Sequence, residues 1–214
     1  MPKSYEERKA AWAEKMKAKQ AASPSLSTRS SDRLPPGQHL TTGFPVLDLG
    51  IKPKIPTSDW SLALTGQVEY ETTLDWPSLN ALPQTNDTSD FHCVTTWSKF
   101  DCEWSGVAFT DLLDLVKPTA DATHALYTAY DGYTTNTPLE ILYDSDVLLA
   151  TAFEGKPITT DHGGPARTII PKLYAWKGTK FVKKIEFLTS DQLGYWEKRG
   201  YSNTADPWLE DRFS

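Results

Sequence analysis

The sequence predicts an α+β domain of mixed β-sheets with short helices, and three observations carry that class. From Leu40 onward, short apolar or alternating runs are separated by Gly, Pro, Asn and Asp, the punctuation of strands and turns. Phe109–Val116 instead carries apolar residues at helical spacing and is stopped by Pro118. At 214 residues with 39% hydrophobic content, one contiguous core is the simplest arrangement.

Met1 to about Gln20 is rich in Lys, Glu and Ala, with Trp12 and Met16 four apart, and reads as a solvated helical arm with a thin apolar stripe. Ala21 to Pro36 is rich in Ser and Pro, a linker composition. The chain is therefore divided into an arm and linker over 1–39 and one domain over 40–214. Within the domain, Ser61-Leu62-Ala63-Leu64 and Thr123 to Ala129 read as strands, and Pro138 to Tyr143 as a second short helix. Asp161-His162-Gly163-Gly164-Pro165-Ala166-Arg167 is a turn in which glycines let backbone approach a ligand and Arg167 offers a planar fork suited to phosphate; a plain turn explains it equally well. Thr168 to Pro171 is a strand ending in proline. Lys172 to Lys180 interleaves cations with aromatics. Either Lys172, Lys177 and Lys180 meet an anion beside the backbone donors of Gly178 and Thr179, or the segment is a solvated basic helix. Gly194 to Asn203, followed by Asp206-Pro207-Trp208, is an aromatic flap; Tyr201 and Asn203 lie at a pocket mouth or cover the core edge.

Composition narrows the function. A net charge of −6 supplies no general cationic field for nucleic acid. No segment reaches the roughly 18 to 20 apolar residues of a membrane span, and the N-terminus lacks the apolar run of a secretory signal, which predicts a cytoplasmic protein. No dinucleotide or Walker-type glycine motif occurs. The two cysteines, Cys93 and Cys102, are too few for a disulfide scaffold and do not match a structural zinc pattern.

Cys93 is the chemically pointed residue. It lies in Phe91-His92-Cys93-Val94-Thr95-Thr96-Trp97-Ser98, where an apolar run meets a polar, aromatic turn, with His92 beside it and Lys99 beyond. A thiolate there binds a metal or attacks; a small buried hydrophobe is the commoner fate of a free cysteine.

Taken together, the Cys93 segment, the His162 to Arg167 turn and Pro171-Lys172-Leu173-Tyr174-Ala175-Trp176-Lys177-Gly178-Thr179-Lys180 resemble, in order and spacing, the molybdopterin-binding domain of the sulfite oxidase superfamily. The resemblance runs from about Gly43 to Phe213. It points to the single-domain sulfite-oxidase-like branch and extends to the catalytic subunit of periplasmic methionine sulfoxide reductase. It implies a molybdenum–molybdopterin cofactor with one pterin dithiolene, Cys93 as the metal ligand, and Cys102 as a structural residue. It also implies cofactor contacts at Phe44, Leu47 and Asp48 of an N-terminal loop, at His92, Thr128, His162 and Arg167, and at a phosphate loop of Gly178, Thr179 and Lys180. Asp131 and Trp97 would join Cys93 as catalytic residues, with Tyr130 and Tyr174 shaping the entrance.

The resemblance thus implies an oxidoreductase that moves an oxygen atom and two electrons to or from a small substrate. Val94 to Ser98 lacks the arginines that follow the cysteine in sulfite oxidases, which puts a less anionic substrate ahead of sulfite. No haem-attachment or iron–sulfur cysteine pattern exists, so a separate protein or soluble carrier handles the electrons. A monomer is expected. Two other readings stay open on the residues: a thiol enzyme using Cys93 with His162 or His92 as base, and a non-catalytic pterin-binding module.

Overall fold

The computed structural model describes residues 33–214. The predicted arm over 1–20 and nearly all of the linker lie outside the described residues. The strands in chain order are β1 (His39–Leu40), β2 (Ser61–Gly66), β3 (Thr72–Asp75), β4 (Thr85–His92), β5 (Trp97–Ala108), β6 (His124–Ala129), β7 (Thr134–Pro138), β8 (Leu148–Phe153), β9 (Lys156–Pro157), β10 (Arg167–Ile169) and β11 (Val182–Leu188). The α-helices are α1 (Trp76–Ala81) and α2 (Phe109–Val116). The predicted α+β class holds.

The strands form two mixed sheets. One runs β1-β5-β8-β10, with β4 on the other side of β5 and β9 beside β8; the second runs β3-β2-β11-β6-β7. The pairs β1–β5 and β11–β2 are parallel and the others antiparallel. Period-two side chains explain β2, where Leu62 and Leu64 are buried and Ser61, Ala63 and Thr65 are less so. In α2, Phe109, Leu112, Leu113 and Val116 face inward at i, i+3, i+4 and i+7, and Lys117 closes the helix in the left-handed region at φ 51°. Helix α1 starts at Asp75, whose carboxylate accepts the Ser78 N–H at 2.8 Å.

The main core joins both sheets and α2 through Trp60, Leu62, Leu64, Phe109, Leu112, Tyr127, Leu149 and Ile185. A second cluster of Cys102, Trp104, Leu148, Ala150, Ile158 and Ile169 packs against Phe44 and Phe91. Between β5 and β8 the backbones approach so closely at Gly106 that a Cβ there would lie 2.1 Å from the Leu149 carbonyl oxygen. Among the described residues, no helix is long and apolar enough to cross a membrane.

Local expectations differ from the structure at two places. Leu139–Tyr143 is a 3-10 turn, because five residues after Pro138 bury Leu139, Leu142 and Tyr143 best at that tighter pitch. The solvated basic helix over Lys172 to Lys180 does not form; a single 3-10 turn, Ala175–Lys177, buries its lysine. Lys177 Nζ lies 2.7 Å from Glu197 Oε1, with both side chains at most 1% exposed. Asn136 Oδ1 accepts a further Lys177 hydrogen bond at 2.9 Å, and Thr135 Oγ1 donates to Glu197 at 2.8 Å. This network fastens the C-terminal segment to β7.

Replacing Lys177 by Met leaves the Glu197 carboxylate buried alone and should cost about 3–5 kcal/mol, read from the urea midpoint. Replacing both partners by apolar residues should recover most of that loss; a double variant as weak as the single one contradicts this account.

Candidate active site

Cys93 follows β4 in a tight turn. Its N–H donates to the Trp97 carbonyl at 2.9 Å, and the Thr96 N–H returns to the Cys93 carbonyl at 3.2 Å. Closing the turn puts Thr96 at φ 72°, an uncommon position for a β-branched residue and a local strain that the flanking strands hold in place. The product is a cysteine on the wall of a cavity of about 370 Å³.

That cavity is mostly apolar with a few convergent polar groups, the usual character of a small-molecule site. Phe44, Leu47, Asp48, Cys93, Trp97, Asp131, His162, Arg167, Gly178 and Lys180 all line it, although they come from five separate stretches of the chain. Tyr201 joins them. Residues that sequence reasoning passed over complete the wall: Phe91, Thr95, Tyr133, Trp176 and Trp196. Strand alternation could have found Phe91, but nothing local marks Tyr133, Trp176 or Trp196, which arrive through the Lys177–Glu197 network and the bond from the Tyr133 hydroxyl to the Trp176 carbonyl.

Other expected contacts are not on the wall. His92 is one residue beyond Phe91 on β4, so the strand turns it to the opposite face, where Nδ1 meets Ser98 Oγ at 2.8 Å. Burial holds its pKa below the ordinary histidine value. Thr128 alternates with Tyr127 and Ala129 on β6 and faces away from the cavity beside Lys184. Thr179 is buried against β10; its N–H donates to Thr168 Oγ1 at 2.7 Å and its carbonyl accepts from Thr168 N at 3.0 Å, so it anchors the phosphate-type loop from behind. Tyr130 bonds to the Ser61 backbone, Tyr174 is fully buried, and Asn203 belongs to the Asn136–Asp191 network. Lys172 is engaged by Asp144. Of the three lysines in that segment, Lys180 reaches the cavity.

The electrostatics of the site centre on Arg167. It is 2% exposed; Nη1 donates to the His162 carbonyl at 2.9 Å, Nε has no partner, and no carboxylate pairs with it among the described residues. Its guanidinium lies 5.4 Å from the Phe91 ring centre and 5.6 Å from that of Trp104. Desolvation lowers its pKa to about 10. Lys180 is pulled down to about 8, first by burial and then by Arg167, while its Nζ donates to the Leu47 and Asp161 carbonyls at 2.7 Å. His162 stacks on Phe44 with ring centres 4.3 Å apart, and its pKa is lowered by burial and by these two cations. Gly163 admits Lys180: at φ 97° its missing side chain leaves room for the Lys180 Cβ and Cγ, which a Cβ would meet at 2.6 Å. A buried arginine and a half-buried lysine, neither paired with a carboxylate among the described residues, fit an anionic group carried into the cavity.

At Cys93 the chemistry differs. Its Sγ lies 3.1 Å from Thr95 Oγ1, and among the described residues no histidine is hydrogen-bonded to it. Burial raises the thiol pKa, as expected where the proton leaves only on metal binding. Asp131 groups with Lys180: its carboxylate accepts the Tyr133 N–H at 3.0 Å, and burial raises its pKa against the pull of Lys180. It is both an Asp-Gly turn and a cavity residue. A soft sulfur ligand, an aromatic slot and a cationic pocket sharing one cavity fit a molybdenum–pterin carrying a phosphate.

The comparisons with known proteins agree. The oxidoreductase molybdopterin binding domain model matches residues 49–196. The oxidoreductase YuiH of Bacillus subtilis is 38% identical over 191 residues, covering 87% of this chain and 96% of that protein. The protein-methionine-sulfoxide reductase catalytic subunit MsrP of Campylobacter jejuni is 26% identical over 158 residues, covering 66% of this chain and 53% of its own length, so the chain spans about half of that relative. The sulfane dehydrogenase SoxCD of Paracoccus pantotrophus shares the fold, with a TM-score of 0.61 at 18% identity over 70% of this chain and 42% of that one. The chain therefore belongs to the oxidoreductase molybdopterin-binding family: it is a sulfite-oxidase-like oxidoreductase whose cofactor is molybdenum–molybdopterin.

Proposed function

We propose that this oxidoreductase transfers an oxygen atom, with two electrons, to or from a small uncharged sulfur compound of the sulfoxide type. The observation that carries the reading is the shared cavity of Cys93 and the unpaired Arg167, with an uncharged wall of Val94, Thr95 and Trp97 beside the cysteine. When bound, the cofactor supplies a molybdenum centre that exchanges an oxygen atom and two electrons.

The chain's own groups supply position and environment. Cys93 Sγ would hold the metal, and Thr95 Oγ1 is placed to donate a hydrogen bond to the deprotonated sulfur. Arg167, Lys180 and the backbone near Gly178 would hold the phosphate, Phe44 and His162 would flank the pterin, and the Asp131 carboxylate offers an acceptor to pterin N–H donors. Trp97, Trp176, Trp196 and Tyr133 exclude water around the reacting group. A sulfite dianion would need cationic donors beside Cys93, and that wall has none, which supports a neutral substrate. The methionine-sulfoxide reductase name of one relative supports the same class. Electrons would pass to or from a separate protein or soluble carrier, since the sequence has just two cysteines and no haem-attachment motif.

Purified from a cofactor-competent host, the protein should contain molybdenum and pterin in equal amount, measured by elemental analysis and by fluorescence of the oxidised pterin; Cys93→Ser should lose the metal or all turnover. A dye-linked assay should run faster on a neutral sulfoxide than on sulfite, and the reverse order would exclude the proposed substrate class. Arg167→Met should weaken cofactor binding roughly 10- to 100-fold. Reconstitution of cofactor-free protein should weaken as pH rises above about 8, because Lys180 is already protonated below its lowered pKa of about 8 and must take up a proton above it. Lys180→Met should remove that pH dependence.

A further inference from the structure

A charged side chain from the far end of the chain reaches the turn that carries Cys93. The C-terminal segment folds back on itself through the Tyr201–Phe213 bridge and the Ser202 N–H to Arg212 carbonyl bond at 3.1 Å. This places Arg212, 14% exposed at its side chain, against the turn that carries the cysteine. Arg212 Nη1 donates to the Val94 carbonyl at 2.6 Å, and the guanidinium lies 5.1 Å from the centre of the fully buried Tyr174 ring. From the opposite side, Gln38 Nε2 donates to the Cys93 carbonyl at 3.2 Å and reaches the Tyr174 hydroxyl at 3.5 Å. Two consecutive carbonyls of the turn are thus held by two side chains that share the Tyr174 ring as their support.

We infer that Arg212 is the positioning residue of the metal-binding turn: it fixes the Val94 carbonyl and sets a permanent positive charge behind the Cys93 sulfur, which raises the reduction potential of the bound molybdenum. The inference rests on the proposed role of Cys93 as the metal ligand.

Adding electrons to a metal–thiolate unit adds negative charge, and a nearby fixed cation stabilises the reduced form more than the oxidised one. A guanidinium stays charged throughout the working pH range, so the effect does not vary with pH. Low exposure reduces solvent screening, and the hydrogen bond to the Val94 carbonyl ties the charge to the same peptide segment as the ligand. Glu210 moderates the charge: its Oε1 lies 3.8 Å from Arg212 Nη2, on a side chain that is 52% exposed. Removing the arginine charge and removing the glutamate charge should therefore move the potential in opposite directions.

The test uses the molybdenum-loaded protein and the midpoint potential of its metal couple, followed by electron paramagnetic resonance. Arg212→Gln keeps a donor for the Val94 carbonyl and removes the charge; its potential should shift to lower values at unchanged molybdenum content. Arg212→Lys should stay close to the parent. Glu210→Gln, on an exposed side chain whose loss leaves the fold intact, should shift the potential upward and keeps the test decisive if the Arg212 variants do not fold. A potential that is the same in every variant that retains molybdenum overturns the inference while leaving Cys93 as the ligand. A parent protein without molybdenum overturns the function proposed above, and this inference with it.

Discussion

The fold is organised around a buried cation, Arg167, that no carboxylate among the described residues answers. Removing the Arg167 guanidinium from water costs free energy that two aromatic faces and one carbonyl offset only in part. The structure tolerates that cost because β10 and the His162 turn are locked from both sides, by β8 and by the Thr168–Thr179 bonds. Everything else in the cavity follows from this commitment. Lys180 is held beside a second positive charge, His162 is kept neutral, and a carboxyl at Asp131 is pushed upward by burial. An anionic ligand would answer both cations at once, so binding such a group and balancing the Arg167 and Lys180 charges would be one event.

The cysteine end obeys a different rule. The residues beside it on the wall, Val94, Thr95 and Trp97, are uncharged, and the Arg212 guanidinium meets its turn through a peptide carbonyl. The site thus separates two jobs in space. Cations line one part of the cavity, and a cysteine in an apolar wall lines another. The Lys177–Glu197 pair serves this division from outside, since it carries Trp176 and Trp196 to the wall without putting an ion into it.

Much of this was legible in the sequence. Helix α2 was readable because its apolar residues repeat at a single period and Pro118 ends it. Cys93, Arg167 and Lys180 stand in motifs that keep their residues within a few positions, and all three line one cavity. His92, Thr128 and Thr179 lie off the cavity wall, because adjacency in a motif does not say which way a side chain points. Lys177 reads as a solvent-facing cation in a Lys-rich segment until Glu197 and Asn136 are seen to close around it.

By itself, then, the sequence determined the chemistry available: a thiol in an aromatic turn, a glycine-arginine turn, a lysine loop and a mixed α+β pattern, all of which depend on residue type and local spacing. Only the tertiary structure decided which of these groups meet. Arg212 reaches the Cys93 turn across more than half the chain, and Trp176, Trp196 and Tyr133 become cavity walls through a buried ion pair and a carbonyl bond. Such contacts depend on how sheets and terminal segments pack over long sequence separations, and no local pattern encodes them.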